Sequence, residues 1–117
     1  MYINSELRQI TSVCKELPEP LIEINPETAK ELEIREGDEV YIERPGFKDK
    51  VKVKAKFVPE LHPKVVACLS HWWFPEKPSP EHGCFESNVN SIISNGPPYD
   101  PINGNHQARA ILCRVRR

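Results

Sequence analysis

With 117 residues, 38% of them hydrophobic, and a net charge of −1, the chain has the size and composition of one soluble globular domain rather than two. The near-zero net charge argues against nucleic-acid binding and against attraction to an anionic membrane. No apolar run approaches the ~20 residues that a membrane helix requires, so we also expect no membrane insertion.

The N-terminal segment Met1–Val13 mixes polar and apolar residues, which predicts an extended piece followed by a loop. Residues 1–17 lack the layout of a signal peptide. This favours a cytoplasmic location, with targeting either absent or carried on another chain or segment.

The first regular elements are predicted between residues 21 and 43. Leu21–Ile24 is a short strand candidate. Asn25 and Pro26 then have the features of a helix start, an N-cap followed by proline at the first helical position. The helix is short because Gly37 interrupts it, and Glu39–Glu43 alternates apolar and polar residues as a strand does.

The clearest strand signal is Lys50–Phe57, where apolar residues alternate with four lysines. Such alternation predicts a strand with one face in the core and the other in water. The lysine row could bind phosphate, but a solvated face that keeps the strand soluble is the favoured interpretation.

The second half of the chain holds two long loops between short elements. Its predicted elements, in order, are a strand at Val65–Leu69 that is buried on both sides, a loop at His71–Glu86, a helical turn at Val89–Ile93, a loop at Asn95–His106 and a final strand at Ala108–Val115. Twelve prolines in the chain favour ordered loops, and such loops often carry function. Five to seven short strands with one or two helical turns favour a closed β architecture, a small barrel rather than a sandwich.

Metal ligation and nucleophilic catalysis are weakly supported. The four cysteines form no Cys-x-x-Cys pair and are expected to be reduced structural residues. Cys68 and His71, with His82 and Cys84, could supply four zinc ligands, but Cys68 lies inside an apolar strand. Cys84 beside His82 could form a nucleophile and base, but adjacent loop residues rarely face each other. We therefore identify no catalytic residue.

Ligand binding is better supported. Asn88 and Asn90 offer two carboxamides, each with a donor and an acceptor, which suit a planar heterocycle with mixed edges. His71, Trp72 and Trp73 follow a predicted buried strand and offer an imidazole and two rigid indoles. One indole is expected to serve packing alone. The set predicts a binding rim for a flat, polar ring system.

Five segments follow one another in an order that is specific as a set. They are Pro20–Ala29, Leu32–Val40, Ser70–Trp73, Ser87–Asn90 and the tail formed by Asp100–Ile102 with Leu112–Val115. Together they resemble the C-terminal molybdopterin-dinucleotide-binding domain of the DMSO reductase family, which includes formate dehydrogenases, nitrate reductases and polysulfide or thiosulfate reductases. Glu33 replaces the glycine that is usual in the second segment.

The resemblance implies a mainly β fold, a small six-stranded double-psi β-barrel with one or two short helices, with residues 1–117 forming a single domain. It implies that the domain binds and encloses molybdopterin guanine dinucleotide. The molybdenum or tungsten ion is ligated by the pterin and not by this domain. The implied partners are the remaining catalytic domains or subunit of a molybdopterin oxidoreductase, and the chain is not catalytic alone.

The resemblance also implies individual cofactor contacts. Asn90 and Asn88 would bond the pterin edges, His71 and Trp72 would form the adjoining wall, and Gln107 and Arg109 would reach the cofactor from the tail. The segment Tyr2–Arg8 resembles one near the dinucleotide, with Asn4 in place of the family's histidine. The residues so implied are His71, Trp72, Asn88, Asn90, Gln107, Arg109, Asn4 and Ser5.

One departure from the family concerns the start of the chain. The family usually has a further strand and a Gly-Arg pair upstream, and this chain begins after them. We therefore expect either a domain fragment or a small subunit of a split enzyme. The alternative hypothesis is a small β-barrel that acts as an interaction module or as a zinc-stabilised scaffold.

Overall fold

A computed structural model describes residues 6–107 and 109–117 of the chain. Five short strands, three short α-helices and one 3₁₀ helix lie within them. The elements are α1 (Thr11–Cys14), β1 (Leu21–Ile24), α2 (Pro26–Glu31), β2 (Glu39–Glu43), β3 (Lys50–Phe57), β4 (Val66–Cys68), α3 (Cys84–Ser87), the 3₁₀ helix (Val89–Ile92) and β5 (Arg114–Arg116). The strands form one sheet in the order β4-β1-β3-β2-β5, in which only β1 and β3 are parallel neighbours.

The core lies against one face of this sheet. Alternate residues of β1, β2 and β3 point into it because successive side chains of a strand face opposite ways. The core residues are Ile22, Ile24, Ala29, Ile34, Val40, Ile42, Val51, Val53, Ala55, Ile92 and Val115. The three strands predicted in the first half of the chain are confirmed, with the residue bounds that the alternation indicated.

The opposite face of β3 carries the lysine row, and glutamates in β2, in β1 and just before β1 pair with three of the lysines. The pairs are Lys52 with Glu39 at 3.4 Å, Lys54 with Glu19 at 2.6 Å and Lys56 with Glu23 at 3.2 Å. Each of these groups is exposed enough for the pairs to contribute little to stability. The pairing supports the interpretation of the row as a solvated face rather than a phosphate-binding stripe.

Helix α2 begins as its sequence predicted. Asn25 Oδ1 accepts a hydrogen bond from the Glu27 amide at 2.8 Å, which makes Asn25 the N-cap. Its Nδ2 donates to the carbonyl oxygens of Pro59 at 3.2 Å and Leu61 at 2.8 Å. One buried carboxamide therefore joins the end of β1, the start of α2 and the loop after β3.

Helix α2 ends in a Schellman turn. The Ile34 amide donates to the Ala29 carbonyl at 2.8 Å, and the Glu33 amide donates to the Lys30 carbonyl at 3.1 Å. This turn requires a left-handed residue, and Glu33 occupies that position with φ +57°. The motif thus explains why a glycine is usual where this chain carries Glu33.

The second half of the chain differs from the prediction in two strands. β4 is shorter than Val65–Leu69 and lies at the edge of the sheet, with Ala67 exposed, so the expectation of burial on both sides is wrong. The last strand, β5, begins only at Arg114 and has three residues, not the eight from Ala108 to Val115. Ala108 itself lies outside the described residues. The helical turn expected at Val89–Ile93 is confirmed as the 3₁₀ helix.

The N-terminal part also differs, since the segment predicted as extended and loop ends in the one-turn helix α1. The mainly β class with short helices is confirmed. The described residues hold five strands, and a six-stranded double-psi barrel stays a prediction. No helix in residues 6–107 and 109–117 is long and apolar enough to cross a membrane.

Candidate functional site

The Asn88 side chain joins the two segments that the sequence singled out. Its Oδ1 accepts one hydrogen bond from the Asn90 amide at 3.1 Å, which caps the 3₁₀ helix. The same oxygen accepts a second bond from the His71 amide at 3.0 Å. His71, Asn88 and Asn90 are therefore brought together, and Asn88 Nδ2 donates to no group among the described residues.

Asn90 lies beside an incompletely bonded part of the protein. Its carboxamide has no hydrogen-bond partner among the described residues. The neighbouring Ser91 Oγ is buried and also lacks a partner there. Buried polar atoms are seldom unpaired, because each costs roughly 1–3 kcal/mol when its hydrogen bond is missing. Ile92 is buried in the core, which fixes the position of the 3₁₀ helix and of its polar side chains.

His71 is exposed and has a strained backbone. Its φ of +61° places it in the left-handed region, which costs a residue with a side chain about 1–2 kcal/mol. Its ring nitrogen Nδ1 lies 2.8 Å from Ser70 Oγ. Strained non-glycine residues cluster at ligand sites, where the surrounding structure holds them. The bond from its amide to Asn88 is one such restraint.

The two tryptophans differ in their environments. Trp72 is fully buried, and the Arg8 guanidinium carbon lies 3.9 Å from its ring centroid. Trp73 is half-buried, and its ring packs edge-to-face with the His82 ring, with 5.7 Å between the two ring centroids. Trp72 is thus the packing indole that we expected one of the two to be. A direct contact of Trp72 with a ligand stays a prediction and would require neighbouring groups to move.

Arg8 is the residue at this site that sequence reasoning missed. It is 2% exposed, although arginine is rarely buried unless its donors are paired. Its Nε donates to the Trp73 carbonyl at 2.7 Å, and its two terminal nitrogens donate to the carbonyls of Leu17 at 3.2 Å and Pro18 at 3.4 Å. The sequence shows only that Arg8 and the pair Trp72 and Trp73 are both present, and this does not predict that they are in contact.

The proposed pair of a Cys84 nucleophile and a His82 base has no support from the geometry. His82 Nδ1 donates to the Lys77 carbonyl oxygen at 2.7 Å, so this nitrogen is not available as a base. The ring of His82 is packed against Trp73. Among the described residues, no hydrogen bond joins the His82 ring to Cys84 Sγ, so the pair is not formed there.

A zinc site also lacks support. Burial raises the pKa of the Cys68 thiol to about 11, and nearby Cys113 adds to the shift. The same burial packs the Cys68 side chain against the hydrophobic core. Within the described part of the chain, no three His, Cys, Asp or Glu side chains are grouped as a metal site would need.

The predicted tail residues lie in an exposed region. Gln107 and Arg109 are both exposed, and Gln107 Nε2 donates to the Ala110 carbonyl at 3.2 Å. Gln107 borders a polar hollow of about 400 Å³, which is large enough for part of a small-molecule ligand. The residues lining the hollow are Pro98, Tyr99, Asp100, Asn103, Asn105, His106 and Gln107.

The predicted cofactor-binding residues are not all connected to one another. No hydrogen bond among residues 6–107 and 109–117 links Gln107 or Arg109 to the Asn88 junction. Asn4 and Ser5 lie outside the described residues. The junction and the hollow are therefore described as two separate polar features.

Comparisons with known proteins identify the family. The family described as Molydopterin dinucleotide binding domain matches residues 1–112. Dopamine dehydroxylase from Eggerthella lenta is 35% identical over 116 residues, which are 98% of this chain and 11% of that protein. An uncharacterized oxidoreductase from Eggerthella lenta matches with the same values.

A solved structure agrees with the fold. Acetylene hydratase from Pelobacter acetylenicus superposes with a TM-score of 0.87 over 97% of this chain and 16% of that protein, at 20% identity. The chain thus corresponds to a small part of the larger proteins that it matches. The family match over residues 1–112 confirms the resemblance seen in the sequence motifs: the chain belongs to the molybdopterin dinucleotide binding domain family.

Proposed function

We propose that this chain binds and encloses molybdopterin guanine dinucleotide as the C-terminal module of a molybdenum or tungsten oxidoreductase. The observation that carries the proposal is the Asn88 junction, which joins His71 to Asn90; the adjacent Ser91 hydroxyl is buried and has no partner within the described part of the chain. The family match supports a molybdopterin cofactor in general. The guanine form and the residue contacts are the proposal.

The donor and acceptor groups at the junction fit a pterin. A pterin edge carries both donors and acceptors, and the Asn90 carboxamide offers both in one rigid head. Asn88 contributes Nδ2, because its oxygen is already used by two backbone amides. His71 contributes an exposed ring at the adjoining wall, and the next residue, Trp72, is buried.

The tail supplies the second part of the proposed site. The Arg109 guanidinium is suited to a diphosphate, because it is always charged and can donate two parallel hydrogen bonds. Gln107 borders the polar hollow and would contact the same half of the cofactor. On the resemblance alone, Asn4 and Ser5 join this half.

The chain's own residues bind and orient the cofactor and exclude water from it. When bound, the cofactor would supply redox chemistry at a metal held by the pterin. No described side chain acts on a substrate in this proposal. We further propose that the curved sheet is completed to a six-stranded double-psi barrel in the intact protein.

The test uses the intact protein that carries this chain, purified with its cofactor. Pterin is measured by the fluorescence of its oxidised product, and the nucleotide is released by acid hydrolysis and identified by chromatography. We expect stoichiometric pterin together with GMP. Asn90→Ala should weaken cofactor retention about tenfold, since it removes hydrogen bonds worth roughly 1–2 kcal/mol.

Asn95→Ala is the matched control, because Asn95 is an exposed loop asparagine whose described contact is made by its backbone carbonyl. It should retain the cofactor as the wild-type protein does. Absence of pterin from the intact protein would overturn the proposal. Release of another nucleotide would overturn the guanine assignment alone, and equal retention in both variants would remove Asn90 from the site.

A further inference from the structure

The segment from His71 to Phe74 is fastened at both ends by side chains from elsewhere in the chain. At its start, the His71 amide donates to Asn88 Oδ1 at 3.0 Å. Near its end, the Trp73 carbonyl accepts a hydrogen bond from Arg8 Nε at 2.7 Å. The two bonded backbone groups belong to the residues before and after Trp72, whose side chain is buried. His71 is thereby presented to solvent from a restrained backbone.

Arg8 is placed to hold this segment by more than one bond. Its guanidinium carbon lies 3.9 Å from the Trp72 ring centroid and 5.9 Å from that of Phe74. Its terminal nitrogens bond the carbonyls of Leu17 and Pro18, which fixes the guanidinium plane relative to the start of β1. A planar fork that stacks on an indole and bonds carbonyls along its edge is a role that lysine cannot reproduce.

Burial of this cation is costly, and an apolar residue would often stabilise a core as well or better. Arg8 is nonetheless 2% exposed, and it contacts Trp72 and Trp73, which directly follow the left-handed residue His71 (φ +61°). The Arg8 side chain donates to three backbone carbonyls, that of Trp73 in the loop and those of Leu17 and Pro18 before β1. A residue that only filled space would not need these hydrogen bonds. The geometry therefore favours a role in fixing the position of the loop.

We propose that Arg8 is a positioning residue for the proposed cofactor site: it fixes the Trp72–Trp73 backbone so that His71 and Asn88 keep their relative places before the ligand arrives. This inference rests on the proposed function. Holding a contact residue in its bound position lowers the ordering cost of binding. Loss of Arg8 would therefore weaken ligand retention beyond its effect on stability.

The first readout needs no cofactor. Hydrogen exchange of the peptide covering residues 70–75 is measured by mass spectrometry in intact protein freed of cofactor. The variants are Arg8→Met, which keeps the length of the side chain, and Arg8→Lys, which keeps the charge. Both should raise exchange in this peptide, because the Trp73 carbonyl and Trp72 ring lose their planar partner. Ile42→Val, a change within the core cluster to which Trp72 does not belong, should leave the peptide as in the wild type.

The second readout is the rate at which pterin is lost from the intact protein on dilution, at a temperature where every variant is folded. Arg8→Met and Arg8→Lys should both lose pterin about tenfold faster than the wild type, a size typical of removing a residue that supports a ligand contact. Ile42→Val should retain it at the wild-type rate despite its lower stability. If Arg8→Met does not fold, Arg8→Lys carries both readouts.

The outcomes separate this inference from the proposed function. Wild-type protein without pterin overturns the proposed function and this inference with it. Pterin held equally by wild type and both Arg8 variants leaves the proposed function in place and overturns the positioning role. Faster loss in Ile42→Val to the same degree as in the Arg8 variants also overturns it, since the effect would then follow stability alone.

Discussion

The Cys68 thiol is held in its neutral form by burial. Its pKa is raised to about 11 by desolvation first and by nearby Cys113 second. Burial raises the pKa of the Cys113 thiol as well. Both side chains pack against the core from its margin. At the scale of single residues, the two thiols therefore behave as small apolar groups, as the sequence indicated for Cys68 and Cys113.

The raised pKa of Cys68 predicts a loss of stability at high pH. The unfolded chain, with an ordinary thiol pKa of 9.0, loses this proton before the folded chain does, so unfolding is favoured as the pH rises from 9 to about 11. The effect should reach about 2 kcal/mol. Urea unfolding midpoints of wild type and Cys68→Ala, measured at intervals from pH 8 to pH 11, isolate it. A difference between the two proteins that stays constant over this range would contradict the assignment.

Arg8 and Asn88 show the limit of sequence reasoning for single residues. The Asn88 and His71 pair was predicted to be close because both segments carry ligand-type side chains, and a hydrogen bond joins them. The burial of Arg8 beneath Trp72 was not predicted. No local pattern marks which cation in a mixed segment will be buried, because that depends on contacts between residues 65 positions apart.

At the scale of elements, the sequence correctly predicted the features that depend on neighbouring residues alone. The alternation in β3 and the N-cap at Asn25 were read correctly, since each depends on a few adjacent residues. The edge position of β4 and the late start of β5 depend on which strands pair across the sheet. An apolar run such as Val65–Leu69 has the same appearance at an edge as at the centre, so its burial could not be deduced.

The left-handed residue that ends α2 gives a prediction at this scale. Glu33→Gly should stabilise the protein by about 1 kcal/mol, because glycine adopts the required φ without the steric cost that a Cβ brings. The control is Lys30→Gly at an exposed position within α2, which should destabilise by about 1 kcal/mol. Thermal or urea unfolding of the three proteins measures both effects. Destabilisation by both substitutions would show that Glu33 makes a compensating contact.

At the scale of the whole molecule, the sheet curves so that its two edges approach each other. Cys68 lies in β4 at one edge, and Cys113 immediately precedes β5 at the other, yet Cys113 is close enough to raise the Cys68 pKa. Such curvature is consistent with the proposed barrel. The alternating patterns of single strands were enough to predict the mainly β class. The family was predicted from five motifs in a fixed order, and no single helix or strand contains all of them.

The relation to a larger protein also belongs to this scale. The match to dopamine dehydroxylase spans 98% of this chain but 11% of that protein. The match to acetylene hydratase spans 16% of that protein. One wall of a buried cleft makes only part of the contacts that a ligand needs. We therefore expect tight cofactor binding only in the intact protein, where other regions supply the remaining walls.

The measurement that tests the central claim most directly is an experimental structure of the intact protein with its cofactor bound. We predict pterin density with a polar edge about 3 Å from the Asn90 carboxamide and from Asn88 Nδ2, with Asn88 Oδ1 still bonded to the His71 and Asn90 amides. Density for a fully occupied cofactor that contacts neither asparagine, with the Asn88 junction facing protein or solvent, would contradict the account.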